Sequence, residues 1–378
     1  MKAVLLANTA WYLYNFRISL AHALKERGWE LVLVSPPDEY AKKLQEKGFT
    51  WRPISMTRRG FNPFVELSTI NELVKLYREI QPDVVHHFTV KPVIYGSLAA
   101  RRVRVPTIIN AVTGLGYLFI DQGVRGKLLQ KLIGYLYRIS IRPSSVRVVF
   151  QNSDDQNVFL SSGWVRREQA VLIPGSGVDI NTFSPLPEPE SRNVVLMVGR
   201  MLWDKGVGVF VEAVRLLQGK GVDADFVLVG ASDLGNPRAV PTSQLESWEQ
   251  EGLIQWLGHQ DDMPEIYARS MMVVLPTTYR EGIPRTLIES AASGRPLIAT
   301  DMPGCREVIQ DGINGLLVPP NDPARLAGAI EKLLENSELR SSMGQAGRQM
   351  VIEKFSNQRI VEETLRLYPV SLSDKVAS

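Results

Sequence analysis

Cysteine is nearly absent from this chain. Cys305 is the only one in 378 residues, so no disulfide closes within the chain and a stapled extracellular scaffold is excluded; a reducing compartment is expected. No apolar run approaches the roughly 20 residues that a membrane-spanning helix needs. The opening segment, 1–7, is too short for the apolar core of a secretion signal and reads as a buried first strand. Histidine is scarce too, with four residues at positions 22, 86, 87 and 259. None has the spacing of a metal-ligand set, and all four, with His86 and His87 at a strand end, read as buried or surface histidines. The Asp-x-Asp at Asp223 and Asp225 precedes a strand instead of following one, so it reads as a solvated loop. Serine and cysteine nucleophile motifs and nucleic-acid-binding motifs are missing. No metal, no cofactor and no nucleic-acid partner are expected.

What is present is an ordinary globular composition with an uneven charge. The net charge is +3, but residues 1–185 carry 24 Lys and Arg against 14 Asp and Glu, while the remainder carries 19 against 26. A basic first half suits an anionic surface or substrate. Strand-like apolar runs alternate with helical patterns. Strands are expected at 4–7, 31–35, 50–54, 83–88, 107–112, 146–151 and 170–173, and helices at 16–27, 40–47, 65–79, 93–102, 122–142 and 153–161. The stretch 8–15 reads as a loop. Alternation of this kind implies parallel sheets with crossover helices. Three prolines in 184–191 suggest a stiff linker, after which the pattern restarts. Strands follow at 194–198, 226–230, 254–257, 273–275, 296–299 and 315–318. The fold class is therefore α/β, with two Rossmann-like domains facing a cleft. The expected divisions are a first domain at 1–184, a linker at 185–191, a second domain at 192–356, and a last helix in 357–378 crossing back to the first domain.

The stretch Tyr279-Arg-Glu-Gly-Ile-Pro-Arg-Thr-Leu-Ile-Glu289 is the most informative. It follows a strand and opens a helix, with Pro284 suited to the first helical position. Gly282 permits close approach of a ligand, and a helix start favours an anion. Glu281 lies before the helix and Glu289 within it, where carboxylates can accept bonds from sugar hydroxyls. An amphipathic helix with two solvated glutamates is the bland alternative. Gly199-Arg-Met-Leu-Trp-Asp-Lys-Gly206 follows the first strand of the second domain. Ligands of such sheets bind beyond the carboxyl ends of strands, so Arg200 and Lys205 lie where phosphate oxygens would be met. Two surface charges would be the plain reading. Together with the helix start, they suggest a diphosphate leaving group.

These two motifs, which both follow a proline-rich linker, resemble those of the retaining glycosyltransferases of family 4, which have the GT-B fold, and the similarity covers nearly the whole chain. Further stretches, Asn62-Pro-Phe-Val65, Gly114-Leu-Gly116, Asp121-Gln-Gly123, Leu202-Trp-Asp-Lys-Gly-Val207 and Ala231-Ser-Asp-Leu-Gly-Asn-Pro237, are similar to a PglA-like subgroup. Its members are bacterial N-acetylgalactosaminyltransferases that extend an undecaprenyl-diphosphate-linked sugar. The resemblance implies a UDP-sugar donor, a polyprenyl-diphosphate-linked sugar acceptor and a retaining, metal-independent reaction in surface-glycan or glycoprotein-glycan assembly. It implies that Arg200 and Lys205 hold the donor diphosphate, that Glu281 binds donor-sugar hydroxyls and Glu289 the ribose, and that the backbone at Gly282 and Ile283 meets phosphates or sugar. Gly258 and His259 would border the base. Arg17 and Lys91 would face the acceptor diphosphate. The chain departs from the family at Asn8-Thr9-Ala10, where many members have a glycine pair, and at Thr113, where many have histidine and the subgroup an acidic residue. Thr113 is kept as an acceptor-side position.

Two basic-aromatic clusters in the first domain suit an anionic membrane interface. One is Arg58, Arg59, Phe61 and Phe64. The other is Tyr117, Phe119, Arg125, Lys127 and Lys131, beside Leu118 and Ile120, for which core packing is the alternative. A cytoplasmic protein, peripheral on the inner face of the cytoplasmic membrane, is expected. Two other readings stay open: a sugar-nucleotide epimerase of the same architecture, and a non-catalytic subunit that keeps the fold.

Overall fold

The structure, a computed structural model, describes residues 1–57, 62–115, 124–189, 192–233 and 235–369. It divides into two units, Met1–Ser176 with Gln358–Ser378, and Gly177–Asn357.

The first unit runs β1 (Lys2–Leu6), α1 (Ala10–Glu26), β2 (Glu30–Ser35), α2 (Tyr40–Glu46), β3 (Thr50–Pro53), α3 (Pro63–Ile80) and β4 (Val84–Phe88). A π-helical turn at Pro92–Gly96 leads into α4 (Ser97–Arg102); β5 (Thr107–Val112), α5 (Val124–Ile141), β6 (Val146–Phe150), α6 (Ser153–Ser161) and β7 (Ala170–Leu172) follow. All seven strands are parallel, in the order β3-β2-β1-β4-β5-β6-β7. Central parallel strands are covered on both faces, which is why β1 is a near-continuous apolar run and why β4 is buried throughout even at its two histidines. Side chains alternate across the sheet. Val4 and Leu6 face a core with Leu73, Tyr77, Ile133 and Tyr137, while Ala3 and Leu5 face the other with Leu13, Leu20 and Leu24.

The second unit contains β8 (Val194–Val198), α7 (Val207–Gly219), β9 (Asp225–Val229), α8 (Thr242–Gln250), β10 (Gln255–Trp256), α9 (Met263–Ala268), β11 (Met272–Leu275), α10 (Arg285–Ala292), β12 (Leu297–Thr300), α11 (Pro303–Arg306), β13 (Gly315–Val318), α12 (Pro323–Glu335) and α13 (Ser337–Met350). Its six strands are parallel in the order β10-β9-β8-β11-β12-β13, again between two apolar layers. The chain then enters α14 (Asn357–Leu365). Ile360, Leu365 and Tyr368 pack with Leu13, Leu24 and Trp29, in the first unit's core.

Four expectations are corrected. The stretch 8–15 is not a loop: α1 begins at Ala10, because the Thr9 side chain accepts a bond from the Tyr12 N–H and caps the helix six residues before the expected start. Pro284 is the N-cap of α10, not its first helical residue. The boundary lies at 176/177, ahead of the proline-rich stretch. Val178 and Phe183 are buried in the second unit's core, and Val178 exchanges backbone bonds with the chain at Phe355 (2.9 Å) and Asn357 (2.8 Å). Nor is the proline-rich stretch a free spacer. Buried Arg295 donates to the carbonyls of Leu186 (2.9 Å) and Pro187 (3.1 Å), and Arg340 grips the Glu188 carboxylate at 2.9 Å. Arg348 ties Phe183 and Ile180 by their carbonyls. Stiff proline backbone leaves its carbonyls unpaired, and these guanidinium donors satisfy them.

Candidate active site

In each sheet the strand order reverses beside a central strand, between β1 and β4 in the first and between β8 and β11 in the second. The crevice at such a reversal is where open α/β sheets bind ligands.

In the second unit the loop after β8 carries Arg200 and Lys205, and the loop after β11 carries Glu281 and Gly282. The main chain stitches the two loops together. The Asp204 carbonyl accepts from the Thr278 N–H at 2.8 Å and from the hydroxyls of Thr277 and Thr278, both at 3.2 Å. The Asp204 carboxylate is gripped by Arg238 through Nε at 3.0 Å and through Nη2. Gly206 has φ +83°, and a Cβ there would lie 2.0 Å from the Pro276 carbonyl oxygen. Only glycine allows both the turn and the approach. Gly304, in α11, similarly meets the Gly282 carbonyl, at 2.2 Å from where its Cβ would be.

This scaffold brings Lys205 Nζ to 2.6 Å from Glu281 Oε2, with side chains only 14% and 16% exposed. A nearly buried pair of this kind is costly to break on one side only. Arg200 is half-exposed and pairs with Asp233 at 3.1 Å. Glu289 is buried in α10. Arg285 donates to its Oε1 and the Tyr267 hydroxyl to its Oε2 at 3.1 Å. Burial raises its pKa above the ordinary carboxylate value, and the Arg285 charge opposes that rise. Cys305 lies buried near the pair; burial, reinforced by Glu281, pushes its thiol well above the usual range, so it is inert. The Gly258 carbonyl accepts from the Gly230 N–H at 2.7 Å. His259 is exposed, 3.3 Å from Asp261. Among the described residues no three His, Cys, Asp or Glu gather as a metal set. Asp225 starts β9 and pairs with Arg192.

In the first unit Arg17 is 6% exposed. Its Nη2 donates to the Tyr12 hydroxyl at 2.8 Å, and its guanidinium lies 4.4 Å from the Phe88 ring centre, at the end of β4. Its Nε makes no hydrogen bond, and no carboxylate among the described residues pairs with it. Lys91 is different. Its Nζ is held by Glu66 at 2.6 Å and by Thr57 at 2.9 Å, so its charge is already balanced. Thr113, after β5, is half-buried. His86 and His87 are buried: His86 meets the Tyr368 hydroxyl at 2.9 Å, and His87 lies between Asn110 at 2.8 Å and Tyr77 at 3.0 Å.

Of the surface clusters, Phe64, Lys127 and Lys131 are exposed. Arg58, Arg59, Phe61, Tyr117 and Phe119 lie outside the described residues, as does the side chain of Arg125. Sequence reading missed Asp204, Arg238, Asp233, Tyr267 and Thr89. Asp204 sits inside the 199–206 loop motif, but its partner Arg238 lies 34 residues further on, beyond any local pattern. Tyr267 reaches Glu289 from α9, another element, which no local pattern announces.

The model for glycosyl transferases group 1 matches residues 179–350, and that for glycosyl transferase 4-like proteins matches residues 2–152. The chain is a glycosyltransferase. A curated relative from Campylobacter jejuni, N,N'-diacetylbacillosaminyl-diphospho-undecaprenol alpha-1,3-N-acetylgalactosaminyltransferase, is 29% identical over 97% of this chain and 98% of its own length. The Escherichia coli UDP-Gal:alpha-D-GlcNAc-diphosphoundecaprenol alpha-1,3-galactosyltransferase is 24% identical over 82% of this chain and 81% of its own. Among solved structures, a glycosyltransferase from Rickettsia africae superposes with a TM-score of 0.80 at 23% identity, over 97% of both chains. Anabaena HepE in complex with UDP gives 0.77 at 19% identity, over 97% of this chain and 99% of its own. The two parallel-sheet α/β domains of the enzyme are those of the GT-B fold. It is a hexosyltransferase.

Proposed function

We propose that the enzyme transfers a sugar, with N-acetylgalactosamine the first choice, from a UDP-sugar to an undecaprenyl-diphosphate-linked sugar, with retention at the anomeric carbon. The observation that carries this reading is the Lys205–Glu281 pair, with Arg200 on the same loop, at the strand-order reversal of the second sheet. A donor diphosphate reaching Lys205 shares or displaces its carboxylate partner. Glu281 then accepts bonds from donor-sugar hydroxyls. As the bond from anomeric carbon to diphosphate oxygen breaks, charge grows on the leaving group, and Lys205 and Arg200 counter it. The acceptor hydroxyl oxygen forms the new bond on the same face, and its proton passes to the departing diphosphate oxygen. No side-chain base is required; positioning and charge supply the rate. The ribose would meet Glu289, and the base would lie by Gly258 and His259. Arg17, buried without a carboxylate, is the cation that favours the acceptor diphosphate; Lys91, already paired, serves by holding the loop after β4.

The acceptor's lipid implies work at an anionic membrane surface on the cytoplasmic side. The first unit supports this with 27 Lys and Arg against 16 Asp and Glu, where the second has 16 against 24. Among the described residues no helix is long and apolar enough to cross a membrane.

The test is a panel of UDP-sugars offered with a short polyprenyl-diphosphate-linked acceptor, reading UDP release and the anomeric configuration of the product by NMR. UDP release that depends on acceptor, with an α product from an α donor, is expected. Interconversion of donor epimers without acceptor would make the enzyme an epimerase and overturn the proposal, as would binding of UDP with no turnover on any acceptor.

A further inference from the structure

A surface helix normally turns its apolar side inward and its charges outward. Helix α5 does the first but not the second. Ile133, Tyr137 and Ile141 pack into the core. On the opposite face Leu128, Leu132 and Tyr135, spaced as one stripe, are 68%, 52% and 61% exposed. Lys127, Lys131 and Arg138 flank that stripe and are exposed too. The helix carries four Lys or Arg and no Asp or Glu. The first turns of α3 add Phe64, 84% exposed, and Leu67, 57% exposed. Both helices lie against the turn at Pro92–Gly96. Each follows a strand of the parallel sheet, so each begins at the edge where the strands end and ligands bind.

We infer that the outer face of α5, with the start of α3, inserts into the interfacial layer of an anionic bilayer. Leu128, Leu132, Tyr135 and Phe64 enter the acyl boundary, while Lys127, Lys131 and Arg138 meet lipid phosphates. The occupant follows from the charge: an apolar stripe bordered along one side by cations, on a helix with no acid, matches a surface that is apolar inside and anionic at its rim. A second copy of this face would bring like charges together. The inference rests on the membrane part of the proposed function and adds a hydrophobic component that salt does not screen.

The test compares the full-length enzyme with a Leu128→Ser, Leu132→Ser, Tyr135→Ser variant. Co-sedimentation uses vesicles of phosphatidylglycerol and phosphatidylethanolamine at low and high salt. Wild type is expected to stay partly bound at high salt. The variant is expected to partition at least about tenfold less at low salt, on the scale of a few apolar side chains leaving lipid, and to be unbound at high salt. Its turnover on a short-tailed, water-soluble acceptor should match wild type. An independent probe is Leu132→Cys carrying an environment-sensitive fluorophore, selective because Cys305 is buried; a control label goes on Leu216→Cys in α7 of the other unit. A blue shift with vesicles at 132 and none at 216 supports insertion. Equal binding of variant and wild type, no shift at 132, or loss of turnover on the soluble acceptor overturns the inference while leaving the anionic-surface reading intact. A wild-type dimer that the variant dissolves, with unchanged vesicle binding, would assign the face to a second copy and also overturns it. Wild type that ignores the vesicles altogether sinks the membrane reading itself.

Discussion

Where the second unit's loop after β8 turns left-handed, it does so at Gly206, φ +83°; where the first unit's loop after β4 does the same, the residue is Thr89, φ +72°. The cations beside the two loops differ as well. Lys205 has a carboxylate at 2.6 Å, whereas Arg17 is buried with a phenol and a ring for company. The second unit therefore presents a relaxed site whose charges are balanced. The first holds a β-branched residue in a conformation costing on the order of 1–3 kcal/mol, with its hydroxyl buried and unpartnered, beside a guanidinium lacking a counter-ion. Strain and unbalanced charge persist in a fold when something else depends on them, and here both gather at the first sheet's strand-order reversal.

The largest effect should come from breaking the balanced side. Lys205→Ala is expected to lower turnover by roughly a hundredfold or more, the scale of a lost transition-state charge partner. Arg200→Ala, half-exposed and screened, should cost about tenfold. Arg200→Ala should melt near wild type, whereas Lys205→Ala should also melt lower, because it leaves the nearly buried Glu281 carboxylate without its partner. Unimpaired turnover in Lys205→Ala would remove the second unit's site from the reaction.

Acid should separate the units next. Burial holds His87 at about 4, with the Asn110 bond opposing, and lowers His86 well below the ordinary value. The second unit's only histidine, His259, is exposed. An unfolded chain takes up protons near pH 6.5 that the folded first unit refuses, so stability present above that pH is lost as pH falls toward 4. His87 alone implies about 2 kcal/mol less stability at pH 5 than at pH 7. Hydrogen exchange should place the loss in the first unit; equal protection at both pH values there would contradict it.

On the unbalanced side, Arg17→Met should raise the acceptor KM roughly tenfold or more, as expected for a lost charge-assisted contact. UDP affinity should stay unchanged and the first unit should be no less stable, since an unpaired buried cation is costly. Destabilisation with normal acceptor KM would make Arg17 a structural residue. The smallest effect is Thr89→Gly, which should relieve strain and stabilise the first unit by about 1 kcal/mol while impairing turnover on the lipid-linked acceptor. A gain in stability with full turnover would show that the strain serves nothing in the reaction.

Much of this was legible in the residues. The expected strands at 107–112, 146–151, 194–198 and 315–318 match within a residue or so because buried parallel strands are continuous apolar runs. The helix at 153–161 is announced by its Asn152 cap and first-turn acids. Arg200, Lys205 and Glu281 could be found because glycine-punctuated loops after strands are local features. The start of α1 was not legible, because Trp11, Tyr12 and Tyr14 look like loop aromatics until Thr9 is seen to cap them. The charge of Lys91 could not be judged either, since its partner Glu66 lies 25 residues away on α3.

Sequence alone determined the two α/β units, their strand runs, the cation–carboxylate motifs and the uneven charge, because these follow from short-range periodicity and composition. Tertiary structure decided which charges are spent and which are not: Glu289 held by Arg285 and Tyr267, Lys205 by Glu281, Arg17 by no carboxylate. It decided that the proline-rich stretch is strapped to the second unit by Arg295, Arg340 and Arg348, and that Leu128, Leu132 and Tyr135 face outward. Burial and pairing are properties of residues brought together from far along the chain, and no window of sequence contains both partners.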